Sequence, residues 1–136
     1  MKPITSSSAS HQRTRKDHAT EAAEDYVEAI DDILSAKGEC RVDDLRKHFS
    51  VSHVTVSRIL ARLQREGLVK KEAYRPVSLT KKGKRLADQS RERHQVVLEF
   101  LIRLGVSPEV AEMDAEGIEH HVSEETLELM RRFSTK

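Results

Sequence analysis

Apolar residues recur at helical spacing along most of the chain and at strand spacing in one short stretch. Over residues 20–37, Tyr26, Ile30, Ile33 and Leu34 fall on one helical face. Thr20 is a fitting N-cap, Glu21 and Glu24 suit a first turn, and Gly38 stops the helix. Asp25, Glu28 and Asp32 form a separate acidic stripe. Residues 42–49 and 53–66 read as a short helix, a tight turn and a longer helix. Leu45 and Phe49 anchor the first; Val56, Ile59, Leu60 and Leu63 form the inner face of the second. Val51 pins the turn and Ser52 is a natural N-cap, the spacing of a helix-turn-helix. Two short strands, 68–72 and 76–79, follow around the turn Ala73-Tyr74-Arg75, where a winged-helix protein carries its wing. Thr80 caps a long helix to about residue 104 whose second half is apolar on nearly all sides. Ser107-Pro108-Glu109 starts another helix, and Ser123-Glu124-Glu125 a last one with Leu127, Met130 and Phe133 inward. The expected fold is mainly α with a small β wing: a winged helix-turn-helix followed by an all-α region. The expected divisions are a disordered, Ser-rich tail (1–18), the winged helix-turn-helix (19–79) and the helical region (80–136).

The net charge of +1 hides an asymmetry. Residues 37–94 carry 16 Lys/Arg against 7 Asp/Glu, a balance of +9. Residues 21–36 carry six acids and no base, and residues 95–130 nine acids and one base, Arg103. A basic block between two acidic ones fits a phosphate-facing module joined to a cation-binding one. Only 37% of residues are apolar and 35% are charged, lean for a self-sufficient core, and the greasy half of the long helix calls for cover from a second subunit. No apolar run approaches the roughly 18 residues of a membrane span, and residues 1–18 lack the apolar core of a secretory signal, so a cytoplasmic protein with no membrane partner is expected. The lone Cys40 has no partner for a disulfide or a CxxC site and reads as a small buried residue.

The candidate chemistry lies in the acidic blocks. In the run Asp114-Ala115-Glu116-Gly117-Ile118-Glu119-His120-His121, the spacing puts Glu116, Glu119 and His120 on one helical face. Asp25 and Glu28 share a face in the same way, and His94 lies between the two places in Arg91-Glu92-Arg93-His94. Carboxylates and imidazoles without a thiolate make an oxygen-rich set for a hard or borderline divalent ion. His121 lies one residue past the face and reads as a structural hydrogen-bonding residue.

The helix-turn-helix, the wing, Arg91-Glu92-Arg93-His94 and the Asp114–His121 run together resemble the diphtheria-toxin-repressor family, and within it the manganese-responsive regulators. The resemblance covers about residues 20–130. It implies that Asp25, Glu28, His94, Glu116, Glu119 and His120 bind a pair of Mn(II) ions per subunit, in a site linking the DNA-binding and dimerisation helices. The iron-responsive branch has Met in place of Asp25 and Cys in place of Glu119; both departures point to manganese. Fe(II), Zn(II), Co(II) and Cd(II) are expected as alternative occupants. The implied function is a non-enzymatic repressor of metal-uptake genes that binds palindromic operator DNA as a homodimer.

The N-terminal end of a recognition helix reaches base edges, so Ser52, His53, Thr55, Val56 and Arg58 are the expected DNA contacts there, with Tyr74 and Arg75 in the wing. Two other readings compete. A metal-dependent hydrolase would keep an open coordination position, but no nucleophile stands beside the ligands. A regulator of a small organic molecule would leave the acids incidental; no such ligand is expected here.

Overall fold

No Gly or Pro interrupts residues 7–37, and in the computed structural model, which describes residues 7–135, a single helix spans them: α1, Ser7–Lys37. Gly38 ends it at φ +85°, its N–H donating to Leu34 O at 2.9 Å. The disordered tail expected over residues 1–18 is therefore corrected for residues 7–18. These carry no helix breaker, and Arg13 Nη2 donates to His121 O at 3.0 Å. Residues 1–6 lie outside the described residues.

Five helices and a small sheet follow: α2 (Val42–Phe49), α3 (His53–Arg65), β1 (Val69–Lys70), β2 (Ser78–Leu79), α4 (Lys81–Leu104), α5 (Pro108–Ile118) and α6 (Glu124–Thr135). The chain divides into two compact units. One is Ala23–Arg91; the other comprises the described residues up to Ala22 together with those from Glu92 on. The divisions fall inside α1 and α4, not at the ends of elements. No helix among the described residues is long and apolar enough to cross a membrane.

In the unit Ala23–Arg91, Tyr26, Val27 and Ile30 of α1 meet Leu45 of α2, Val56, Leu60 and Leu63 of α3, and Val69 and Val77 of the wing. Tyr26 stacks on Phe49 with ring centroids 4.3 Å apart. β1 and β2 pair antiparallel, Val69 opposite Leu79, and are shorter than expected because residues 72–75 turn and Pro76 has no N–H to donate. Cys40 is buried as expected, and has a structural role too: Val77 N donates to Cys40 O at 2.7 Å, extending the sheet by one bridge. Burial pushes its thiol up to about 11, so the sulfur is protonated and inert.

The wing is fastened to α4 by Thr80 and Gly83. Thr80 Oγ1 donates to Gly67 O at 2.6 Å and accepts from Gly83 N at 3.0 Å, capping α4. A Cβ on Gly83 would stand 2.1 Å from the Leu68 carbonyl oxygen, a backbone atom that cannot swing aside. Gly83→Ala should therefore destabilise the protein by about 1–3 kcal/mol through overpacking, read as a lower denaturation midpoint at unchanged slope.

Asp31 holds α1 to α4 in the same unit. Its carboxylate lies 2.9 Å from Lys84 Nζ and 2.8 Å from Arg91 Nη1, with Asp32 on the other Arg91 nitrogen at 2.7 Å. Burial works to raise the Asp31 pKa, but the Lys84 and Arg91 hydrogen bonds and charges outweigh it and hold it below the ordinary value. A depressed carboxylate adds stability above its unfolded pKa, near 4, and loses it as pH falls through the folded value. Asp31→Asn should cost about 1–3 kcal/mol at neutral pH, with the gap between parent and variant closing in thermal melts taken below pH 4.

Candidate metal centre and nucleic-acid interface

In the unit that contains residues 92–136, α4 and α5 bring His94, Glu116, Glu119 and His120 together. His94 Nδ1 lies 2.7 Å from Glu119 Oε2 and 3.5 Å from Glu116 Oε1, and His120 Nε2 lies 3.3 Å from Glu119 Oε1. Glu119 thus stands between two imidazoles, and it is 1% exposed. One ligand atom each from His94, Glu116 and Glu119 falls within 4.8 Å of the others.

The shared helical face needs correction. α5 ends at Ile118, Glu119 is its C-cap and His120 lies in the turn beyond. Gly117 and the run of polar residues after it favour ending the helix there. Glu119 keeps helical dihedrals and donates its N–H to Ala115 O at 3.0 Å, so it follows the buried Ala111 and Ala115 at helical spacing and points inward, while Glu116 stays exposed and only His120 leaves the helix. Sequence reasoning also missed Glu112, one turn before Glu116, whose Oε2 lies 2.9 Å from His94 Nε2. The i, i+4 spacing of Glu112 and Glu116 was the available signal. A carboxylate on Nε2 fixes the ring and leaves Nδ1 facing Glu116 and Glu119.

For Glu119, burial pushes the pKa up to about 7, against the downward pull of His94. For His94, burial lowers the pKa, but the Glu119 charge and the bonds to Glu112 and Glu119 outweigh it, so the net shift is upward. Their atoms stand 2.7 Å apart, in a place where a divalent cation could take the position of a proton.

Arg93 sets the geometry of the turn. Its Nε donates to Glu119 O at 3.0 Å, Nη2 to Val122 O at 2.7 Å, and Nη1 to Glu124 Oε1 at 2.7 Å. The last carbonyls of a helix have no partner within it, and the guanidinium supplies one for them. Sequence reading did not single out Arg93, because nothing in the spacing ties it to residues 26 to 31 positions later. Arg93→Ala should leave every candidate ligand in place yet weaken metal binding by about 10-fold or more, as loss of ligand orientation does, measured by calorimetric titration.

Asp25 and Glu28 belong to the other unit. They lie three residues apart on α1, both half-buried.

The same unit presents the candidate DNA surface. Ser52 caps α3, its Oγ accepting from Thr55 N at 3.1 Å and lying 2.9 Å from Thr55 Oγ1. His53 and Arg58 are exposed, as expected of contacts. Val56 is corrected: it is fully buried in the core of the unit and has no surface to offer a base. Val54, which sequence reasoning passed over, is the exposed valine, at 71%. Ser57 is exposed on the same helix, its Oγ 3.4 Å from His53 Nδ1. At the wing tip, Tyr74 is 99% exposed in the left-handed region at φ +63°, and Arg75 lies 3.5 Å from Glu72. Between α3 and the wing runs a groove of about 560 Å³ lined by His53, Ser57, Gln64, Lys71 and Tyr74. The positive dipole end of α3 lies at the exposed His53 and Val54, which suits a phosphate backbone.

Residues 18–77 match the family described as "Iron dependent repressor, N-terminal DNA binding domain", and residues 80–136 the one described as "Iron dependent repressor, metal binding and dimerisation domain". The chain belongs to the iron-dependent repressor family. It is 49% identical over 125 residues to the transcriptional regulator MntR of Escherichia coli, across 92% of this chain and 81% of that one. It is 36% identical over 104 residues to the HTH-type transcriptional regulator MntR of Lysinibacillus sphaericus, across 76% and 75%. Among solved structures it is similar to the manganese regulator SloR, with TM-score 0.71, 29% identity, and 83% of this chain matched to 53% of that one. A manganese-dependent transcriptional repressor in complex with manganese gives TM-score 0.69 and 27% identity over 83% and 52%. The chain spans about half the length of these solved structures. Repressors of the iron-dependent family are metal-dependent DNA-binding proteins and not enzymes, which removes the hydrolase alternative.

Proposed function

We propose that this repressor responds to Mn(II) and shuts off metal-uptake genes in the cytoplasm by binding palindromic operator DNA as a homodimer. Asp25, Glu28, His94, Glu116, Glu119 and His120 hold the metal, a pair of ions per subunit. The observation that carries the reading is the buried Glu119 carboxylate between His94 and His120. Burying a carboxylate is unfavourable without a compensating cation, and this one is set among nitrogen and oxygen donors with no sulfur. Mn(II) is low in the Irving–Williams order, so a donor set of four carboxylates and two imidazoles serves it by withholding the thiolates that favour zinc and copper(I). The manganese-bound repressor and the two MntR proteins named above support the same choice.

Ser52, His53, Thr55, Arg58, Tyr74 and Arg75, joined by Val54 in place of Val56, form the DNA surface. A second copy covers Ile102 and Leu104 of α4, Val110 and Met113 of α5, and Leu129 and Phe133 of α6, which one chain leaves exposed. Dimerisation would present two recognition helices to half-sites one helical turn apart or a multiple of it. Metal and operator would then strengthen each other's binding, since coupling is reciprocal.

A mobility shift with operator DNA, run anaerobically with Mn(II), Fe(II), Zn(II) or no metal, tests the reading. The parent should bind DNA far more tightly with Mn(II) than without it. Glu116→Ala, an exposed change that spares the core, and Glu119→Gln, which keeps the buried volume, should both lose that response. Metal-independent DNA binding by the parent, or an unchanged Mn(II) response in both variants, would overturn it.

A further inference from the structure

Beside the residues assigned to manganese, and sharing none with them, a second cluster of donors lies in the unit of residues 92–136 and the start of α1. His18 and Glu21 are three residues apart on α1 and so share a face; His121 sits in the turn after α5. One ligand atom from each lies within 4.8 Å of the other two. Glu21 Oε2 is 3.4 Å from His121 Nε2, and the His18 and His121 rings meet edge-on, 5.9 Å between centroids at 82°.

We propose that His18, Glu21 and His121 form a separate site for a borderline divalent ion of the zinc type, which clips the N-terminal stretch of α1 to the turn carrying His120. Bonds of about 2.0–2.1 Å in a tetrahedral site place ligand atoms about 3.4 Å apart, the separation Glu21 and His121 already have. His18 is exposed, so its side chain can close the remaining distance by rotation. Two imidazoles and one carboxylate are the donors of three-ligand zinc sites, with water in the fourth position. The donor ratio also separates this cluster from the manganese residues. Nitrogen donors outnumber oxygen here, which favours zinc or cobalt over manganese.

The local structure gives the clip a purpose. From residue 8 to residue 20, every described side chain of α1 is exposed, and none enters a core. An isolated helical stretch of that length is marginal in water without tertiary packing. The contacts described for it are polar: Arg13 to His121 O, and Glu21 with His18 against the His121 ring. These converge on His121, so a metal there would stabilise the stretch where it is already held. Ordering would reach the neighbouring His120 through the shared turn.

The test uses the full chain with Zn(II) and with Co(II) as a spectroscopic stand-in. Equilibrium dialysis should show the parent binding one more Zn(II) per chain than His18→Ala or His18→Gln. Co(II) should give the parent a tetrahedral-type visible absorption component that both variants lack. Zn(II) should slow tryptic cleavage after Arg13, Arg15 and Lys16 at least fivefold in the parent and leave both variants unprotected. Because His18 is not among the six manganese residues, Mn(II)-dependent DNA binding should be the same in all three proteins. Equal Zn(II) content and equal cleavage rates in parent and variants would overturn the site. A failure of the Mn(II) response in the parent would count against the proposed function and leave this result standing.

Discussion

A buried carboxylate between two imidazoles is the constraint around which the metal-binding unit is organised. An isolated charge with the burial of Glu119 is strongly disfavoured, so its surroundings must supply protons, donors or a cation. His94 and His120 do so from two sides, and Arg93 locks the backbone that carries it. Helical spacing places Glu119 on the line of the buried Ala111 and Ala115, one position round from the exposed Glu116, and the turn that follows brings His120 beside it.

The other unit is organised by apolar packing. Tyr26 and Phe49 stack, α3 turns Val56, Leu60 and Leu63 into the core, and the Cys40–Val77 bridge with the Thr80 cap holds the wing. What remains outside is one side of the first two turns of α3, with His53, Val54, Ser57 and Arg58, and the tip of the wing at Tyr74. A rigid core with a polar, partly basic rim is what a DNA-reading module needs, since a base contact requires a side chain placed to within tenths of an ångström.

Much of this was legible in the sequence because it rests on periodicity and caps. Ser52, Thr80 and the Ser107-Pro108 start all mark element boundaries where expected, and the apolar period of α3 marks its inner face. That same period should have excluded Val56 from the DNA surface: Val56, Leu60 and Leu63 are one stripe, and Val54 is off it. Glu112 and Arg93 were not legible in the same way, since their roles depend on where α4 and α5 meet, and no local pattern encodes that. The N-terminal stretch was misread for the opposite reason. Its composition is polar and Ser-rich, as in disordered segments, but what decides its helix is the absence of breakers together with a tether 108 residues away in sequence.

The proposed metal response also has a physical requirement. A ligand shifts a conformational equilibrium only by its difference in affinity between the two states. Four of the six proposed ligands already lie together in one unit, where His94 and Glu119 are 2.7 Å apart. Metal bound by that cluster alone would replace a proton and change little else. The remaining two, Asp25 and Glu28, belong to the DNA-reading unit by sequence and by division of the fold. Only ligands drawn from both units make affinity depend on how the units are arranged, and only then can manganese select the arrangement that fits an operator. The selectivity proposed for Asp25 and the proposed metal response would then be two consequences of the same ligand.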